Sequence, residues 1–223
     1  MFGLDDQIAS LNNGAVLGLV VVVAILLGLR HASDPDHLTA VTTLVAGDDR
    51  DTRGAARIGF AWGLGHASSL FVFGVPIVLF SAYLPEALQM GAEAAVGVVI
   101  ILLALRLLWR WRRGPAHADA HGARTRRQAY GIGLVHGMGG SAGVGVLLLA
   151  SIPNHALGVV ALALFAICTA ISMAAASTTF GFVMTRRAVA ARYAAIVPAL
   201  GVLSLAFGLW YMLGAVQAVP YVL

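Results

Sequence analysis

Six stretches of the chain are apolar for about the length of a membrane-crossing helix, and this restricts the fold more than any other feature. They lie at roughly 14–32, 58–82, 92–111, 130–151, 156–184 and 194–216, where about 20 apolar residues suffice to cross the hydrocarbon. Only 11% of the residues are charged and 60% are hydrophobic, too little polar surface for a soluble fold. We therefore expect an all-α, polytopic bundle of about six transmembrane helices, with residues 1–223 forming one membrane domain.

The basic residues lie in alternate connections between these apolar stretches. The chain has a net charge of +4, but its cations are arginines grouped in short loops, so we do not expect nucleic-acid binding. By the positive-inside rule these loops, including residues 112–129, face the cytoplasm, and both termini lie on the extracytoplasmic side of an inner membrane. The arginines concerned are Arg50, Arg53 and Arg57, then Arg110, Arg112, Arg113, Arg124, Arg126 and Arg127, and finally Arg186, Arg187 and Arg192.

A weak internal repeat relates the two halves of the chain, roughly 14–111 and 130–216. Three consecutive spans that match three later spans must insert in the opposite orientation, which is the inverted 3+3 plan of many transporters. The matched segments are Gly28–His31 with Gly133–His136, Ala67–Phe73 with Ala176–Phe182, and Ala95–Val99 with Ala199–Leu203.

The segment His31-Ala32-Ser33-Asp34-Pro35-Asp36-His37 places ionisable side chains at membrane depth, at roughly 2.5–3.5 kcal/mol each. On an unbroken helix His37 would lie about 240° around from His31. Asp34 is a favourable helix cap and Pro35 a favourable first helical residue. We therefore predict a break in the first helix, with residues 35–46 as its second half. A seventh, re-entrant element is the alternative.

The predicted break lets His31, Asp36 and His37 converge on one ion. Imidazole and carboxylate ligands suit Ni²⁺, Co²⁺, Zn²⁺ or Mn²⁺, and the lack of thiolates argues against Cu(I). His66 and His136 lie roughly 10–13 Å below the cytoplasmic ends of their spans and complete the candidate site. Each could instead make a hydrogen bond between helices.

Asp34 is a candidate ligand as well as a candidate cap, and the cap is the expected role. Three polar loop residues could bind metal weakly, but we expect a solvated linker there. They are His117, Asp119 and His121.

Three motifs resemble the nickel/cobalt transporter family (NiCoT, or NicO). The segment from Gly28 to Asp36-His37, with a histidine, four residues and then Asp-His, resembles the family signature. Leu64–Ser68 resembles its second histidine motif, and His136–Gly143 resembles a His-Gly segment of the shorter, urease-accessory-like members. The resemblance implies a secondary permease for Ni²⁺ or Co²⁺ that uses His31, Asp36 and His37 as ligands.

Transport of a divalent metal ion across the bilayer is therefore the expected function, with no cofactor and no enzymatic activity. Zn²⁺ stays open as a third cargo ion. The alternatives are a metal-dependent membrane hydrolase with Asp36 as base, and an exporter of another small solute. A cytoplasmic metallochaperone and a homo-oligomer both stay open as partners.

Overall fold

The computed structural model describes residues 4–46, 52–80, 85–113, 125–139, 146 and 148–220, with side chains from residue 17 onward. The described residues form helices joined by turns and contain no strand, which confirms the all-α class. The helices are α1 (Leu4–His31), α2 (Pro35–Ala46), α3 (Thr52–Phe80), α4 (Glu86–Arg113), α5 (Arg126–His136), α6 (His155–Thr185), α7 (Arg187–Ala190) and α8 (Tyr193–Ala215).

Four of these helices are long and apolar enough to cross a membrane, namely α3, α4, α6 and α8. Residues 17–31 of α1 and the bent continuation α2 together make a fifth candidate span. The described residues therefore support a multi-pass membrane protein with four to five candidate spans, and they do not confirm the predicted count of six.

The fourth predicted span, 130–151, is wrong as a single helix. α5 ends at His136, and residues 137–139 form a turn. Glycine occupies positions 137 and 139, and a glycine inside a helix costs about 1 kcal/mol relative to alanine. Hydropathy alone does not register this cost, because glycine is nearly neutral on such scales.

The predicted break in the first helix is confirmed. α1 ends at His31, α2 begins at Pro35, and the two axes differ by 48°. The amides of Ser33 and Asp34 donate to the carbonyls of Arg30 and His31, which closes a tight turn. The new helix starts when the Leu38 amide donates to the Asp34 carbonyl at 3.0 Å. Pro35 has no amide hydrogen, so it fits the first helical position.

The long helices pack through small residues. α3 and α6 form the central pair, α1 packs on α6, α5 packs on α3, and α4 packs on α8. A side chain added at Gly63 would lie 2.8 Å from the carbonyl oxygen of Ala170, and one at Gly59 would overlap Ser177. These positions allow the α3 and α6 backbones to approach closely, as small residues do in membrane bundles.

Large apolar side chains face outward while histidines are buried. Val72, Phe80 and Leu203 are 66%, 76% and 67% exposed, whereas His66 and His136 are both 0% exposed. An apolar exterior around buried ionisable side chains is suited to lipid, since a soluble protein rarely exposes so many large apolar side chains while it buries histidines.

Gly133 tests the close contact between α5 and α3. A side chain added there would overlap the carbonyl oxygen of Trp62, whereas Gly131 on the same helix has open space around it. We expect Gly133→Ala to destabilise the protein by about 1–3 kcal/mol through overpacking. Gly131→Ala should leave stability unchanged or raise it slightly, because alanine is the better helix former.

Thermal melting of both purified variants in detergent measures this difference. Equal melting temperatures for the two variants would show that the α3–α5 contact is not as close as described.

Candidate metal site

The break between α1 and α2 brings together side chains that a straight helix would separate. His31 is the last residue of α1, and Asp36 and His37 lie in the first turn of α2. The ring centroids of His31 and His37 lie 4.4 Å apart. The Nδ1 atom of His37 lies 3.1 Å from Oδ1 of Asp36. The convergence that the sequence predicted for these three residues is therefore present.

Two further histidines reach the same place from other helices. The Nε2 atoms of His66, on α3, and His31 lie 3.0 Å apart. His136 is the last residue of α5, and its Nε2 atom lies 3.3 Å from Oδ2 of Asp36. All five side chains are at most 4% exposed. Four chain segments thus meet in one buried polar cluster.

Asp34 lies behind His31 rather than inside the cluster. Its Oδ2 atom is 3.0 Å from Nδ1 of His31, on the opposite side of the ring from the nitrogen that faces His66. Its Oδ1 atom is 3.4 Å from the guanidinium of Arg30, whose side chain is 74% exposed. A carboxylate on the outer nitrogen of a histidine orients the ring and leaves the inner nitrogen available, as in many metal sites.

The five inner side chains form two groups of potential metal ligands. One group consists of His31, His37 and His66, the other of Asp36, His37 and His136, and the donor atoms within each group lie within 4.8 Å of one another. Several nitrogens of these rings are buried without a hydrogen-bond partner, namely Nε2 of His37 and Nδ1 of both His66 and His136. Buried polar atoms in native proteins are nearly always partnered, so this cluster is suited to a bound cation.

Two aromatic side chains that border the cluster were not predicted from the sequence. The ring of Trp62 lies 5.6 Å from that of His136, and the ring of Phe165 lies 5.5 Å from that of His31. Trp62 precedes His66 by one helical turn, so the spacing could have placed it on the same face. Phe165 has no such signal, because it comes from α6, a helix without a predicted ligand.

The loop residues that were considered as weak ligands, His117, Asp119 and His121, lie outside the described residues. Ser141 and Gly143 of the glycine-rich segment after His136 lie outside them as well.

A comparison with known families matches residues 17–117 to NicO, described as high-affinity nickel-transport protein. The matched segment contains the second half of α1 and all of α2 and α3, and hence His31, Asp36, His37 and His66. No solved structure matches the chain.

Three curated relatives are informative. The urease accessory protein UreH of Bacillus sp. (strain TB-90) is 26% identical over 206 residues, which cover 86% of this chain and 90% of the relative. The high-affinity nickel transport protein of Cupriavidus necator is 30% identical over 129 residues, covering 50% and 37% of the two chains. A candidate nickel/cobalt efflux system of Methanocaldococcus jannaschii is 25% identical over 170 residues, covering 73% and 76%.

The site and these matches agree with the family that the sequence motifs suggested. The motifs that contain His31–His37 and His66 lie within the matched segment, while His136 lies beyond it, and the side chains of all three motifs converge in the fold. Over residues 17–117 this chain matches the NicO nickel-transport family, which confirms the predicted resemblance.

Proposed function

We propose that this protein is a secondary permease that carries Ni²⁺ or Co²⁺ across the membrane through the cluster of His31, Asp36, His37, His66 and His136. The observation that supports this most strongly is the meeting of four imidazoles and one carboxylate, all at most 4% exposed, inside a lipid-facing bundle. Ionisable groups at membrane depth are costly and usually mark an ion pathway.

The chemistry of the donor set suits the proposed cargo. Imidazole binds Ni²⁺, Co²⁺ and Zn²⁺ well, and a single carboxylate offsets part of the charge of a divalent ion. Among the described residues, neither ligand group contains a cysteine thiolate. In this proposal Asp34 orients His31 and is not a ligand, and no cofactor takes part.

An inverted repeat supports alternating access. Gly28 on α1 contacts Phe165 and Thr169 of α6, while Gly133 on α5 contacts Trp62 and His66 of α3. Gly133 follows Gly28 by 105 residues, and the residues that the two glycines contact are separated by 103 residues. This correspondence supports a twofold relation between the halves. Both α1 and α5 end in a histidine followed by a similar turn.

The other helix pairs repeat this relation. Adding about 103 to the number of an α3 residue gives the corresponding residue on α6. Under this correspondence each contact between α3 and α6 matches a second contact between the same two helices, as a twofold axis requires. On α4 and α8 the shift is about 104 residues. The contact pairs are Gly59–Ser177 with Gly74–Leu162, Ala55–Gly181 with Val78–Gly158, and Gly97–Met212 with Leu108–Gly201.

These contacts favour a different alignment of α3 with α6 from the one suggested by the sequence. The sequence match paired Ala67–Phe73 with Ala176–Phe182, a shift of about 109 residues. The contacts instead pair Trp62 with Phe165 and His66 with Thr169. We propose halves of roughly 14–111 and 130–216 on this corrected alignment.

The arginine-bearing helix ends lie at one end of the bundle. The indole of Trp111, near the end of α4, donates to the carbonyl of Ala194 at the start of α8. Tyr193 donates to the carbonyl of Ala46 at the end of α2. At the other end, His155 at the start of α6 contacts the carbonyl of Val78 near the end of α3. We propose that the arginine end faces the cytoplasm, as the positive-inside rule requires.

The alternatives have less support. The relatives from Cupriavidus necator and Methanocaldococcus jannaschii are named for transport or efflux of nickel or cobalt, which favours a transporter over a membrane hydrolase and over an exporter of another solute. One of these names refers to transport in general and the other to efflux, so we propose a permease without assigning direction. The relative named as a urease accessory protein keeps a metallochaperone open as a partner.

Cysteine labelling tests the orientation. Ala188, on α7, and Ala218, after α8, are both exposed. In a Cys168→Ala background, we expect a membrane-impermeant maleimide to label Ala218→Cys in intact cells. Ala188→Cys should be labelled only after the membrane is permeabilised. If intact cells label Ala188→Cys and not Ala218→Cys, the topology is the opposite of the one proposed.

Substitution of the central ligands tests transport. Asp36→Asn keeps the volume but removes the only carboxylate of the cluster, and His37→Ala removes the histidine common to both ligand groups. We expect each substitution to reduce transport of ⁶³Ni by tenfold or more. Loss of a group that only orients a metal ligand already lowers metal affinity or activity by about 10–100-fold, and loss of the ligand itself should cost at least as much.

Two variants serve as controls at matched expression. His155→Gln retains a donor for the Val78 carbonyl, far from the cluster, and His121→Ala alters a loop histidine; both should transport at close to the wild-type rate. Wild-type rates in both Asp36→Asn and His37→Ala would mean that the cluster is structural.

A further inference from the structure

The buried cluster contains two overlapping ligand groups that share His37. The first is His31, His37 and His66, and the second is Asp36, His37 and His136. We propose that the cluster binds one ion at a time in either of two adjacent positions, and that the ion passes from one to the other during transport. This inference rests on the proposed function and describes how the same site works.

The distances fit two positions better than one position with five ligands. Donor atoms within each group lie within 4.8 Å of one another. Ligands on opposite sides of an ion with bonds of about 2.1 Å lie about 4.2 Å apart, so small shifts close either group. The five side chains do not combine into a single group within that distance, and the ring centroids of His66 and His136, which belong to different groups, lie 6.0 Å apart. His37 lies between them, with centroids 4.9 Å from His66 and 4.6 Å from His136.

The shared ligand makes the two positions mutually exclusive. His37 has its Nδ1 atom 3.1 Å from Asp36, while its Nε2 atom is buried without a hydrogen-bond partner. A neutral imidazole offers one lone pair at a time. Two divalent ions held by adjacent groups would also repel each other strongly in a buried site. One ion per chain is therefore the expected occupancy.

The two positions differ in charge and in the part of the chain that supplies the ligands. The first consists of imidazoles from α1, α2 and α3 alone. The second includes the carboxylate of Asp36 and adds His136 from α5. An ion in the first position is held by the first repeat half only. An ion in the second position is bound by residues of both halves. Movement of the ion from the first position to the second therefore changes which helices it links.

Nickel binding to the purified full-length chain tests the inference with a matched pair of variants. His66 and His136 are both 0% exposed, and each belongs to one group only. We expect wild type to bind one Ni²⁺ per chain. His66→Ala should keep one ion with two histidines and a carboxylate, and His136→Ala should keep one ion with three histidines. X-ray absorption at the nickel edge counts the histidine ligands in each case.

Affinities separate the proposal from a single shared site. Each single variant should bind Ni²⁺ within about tenfold of wild type, because the other position remains. The double variant His66→Ala/His136→Ala and the variant His37→Ala should bind about a hundredfold more weakly or worse, since both positions lose a ligand. Where an alanine variant does not purify as a folded protein, the glutamine variant at the same position replaces it.

The opposite results are distinct. Equal loss of one histidine ligand in both single variants would show a single five-ligand site, and two ions per wild-type chain would overturn mutual exclusion. Either result leaves nickel transport intact as a function. A wild-type chain that neither binds nor transports Ni²⁺ would overturn the proposed function itself, and this inference with it.

Discussion

The structure depends on the burial of one carboxylate and four imidazoles among helices whose outer surfaces are apolar. Asp36, His37, His66 and His136 are each at most 2% exposed. Polar groups in such a position must satisfy one another or a bound cation, because hydrocarbon offers neither water nor counter-ions. The break at residues 32–34 makes this arrangement geometrically possible, since it turns α2 by 48° and brings the first turn of α2 against the end of α1.

If the halves are related as we propose, their contacts are symmetric but their chemistry is not. His31 and His136 occupy equivalent positions, each at the end of a helix and each beside an aromatic ring, Phe165 or Trp62. The residue that corresponds to His66 in the other half is Thr169, which is fully buried and offers only a hydroxyl. The second half therefore contributes a single imidazole, and the charged ligand comes from the first half alone. An ion near the twofold axis is then held unequally by the two halves, which gives their relative movement a means of changing its coordination.

Much of this site could be predicted from the sequence, because each signal was local and chemical. The Asp-Pro pair within an apolar run indicated the break, and counting residues from the arginine-rich ends placed His66 and His136 at one depth. The helix over 130–151 was wrong because hydropathy does not separate a glycine-rich turn from a helix. The position of Asp34 behind His31 depends on a side-chain rotamer, and the aromatic wall of Phe165 depends on packing between distant segments. Neither follows from spacing along the chain.

The most direct test of the central claim is an anomalous difference map at the nickel absorption edge, from crystals of the full-length protein grown with Ni²⁺. The account predicts a peak within bonding distance of His37, flanked by His31 and His66 or by Asp36 and His136. A protein that transports Ni²⁺ but has its nickel peak elsewhere, with the buried histidines in contact only with one another, would contradict it.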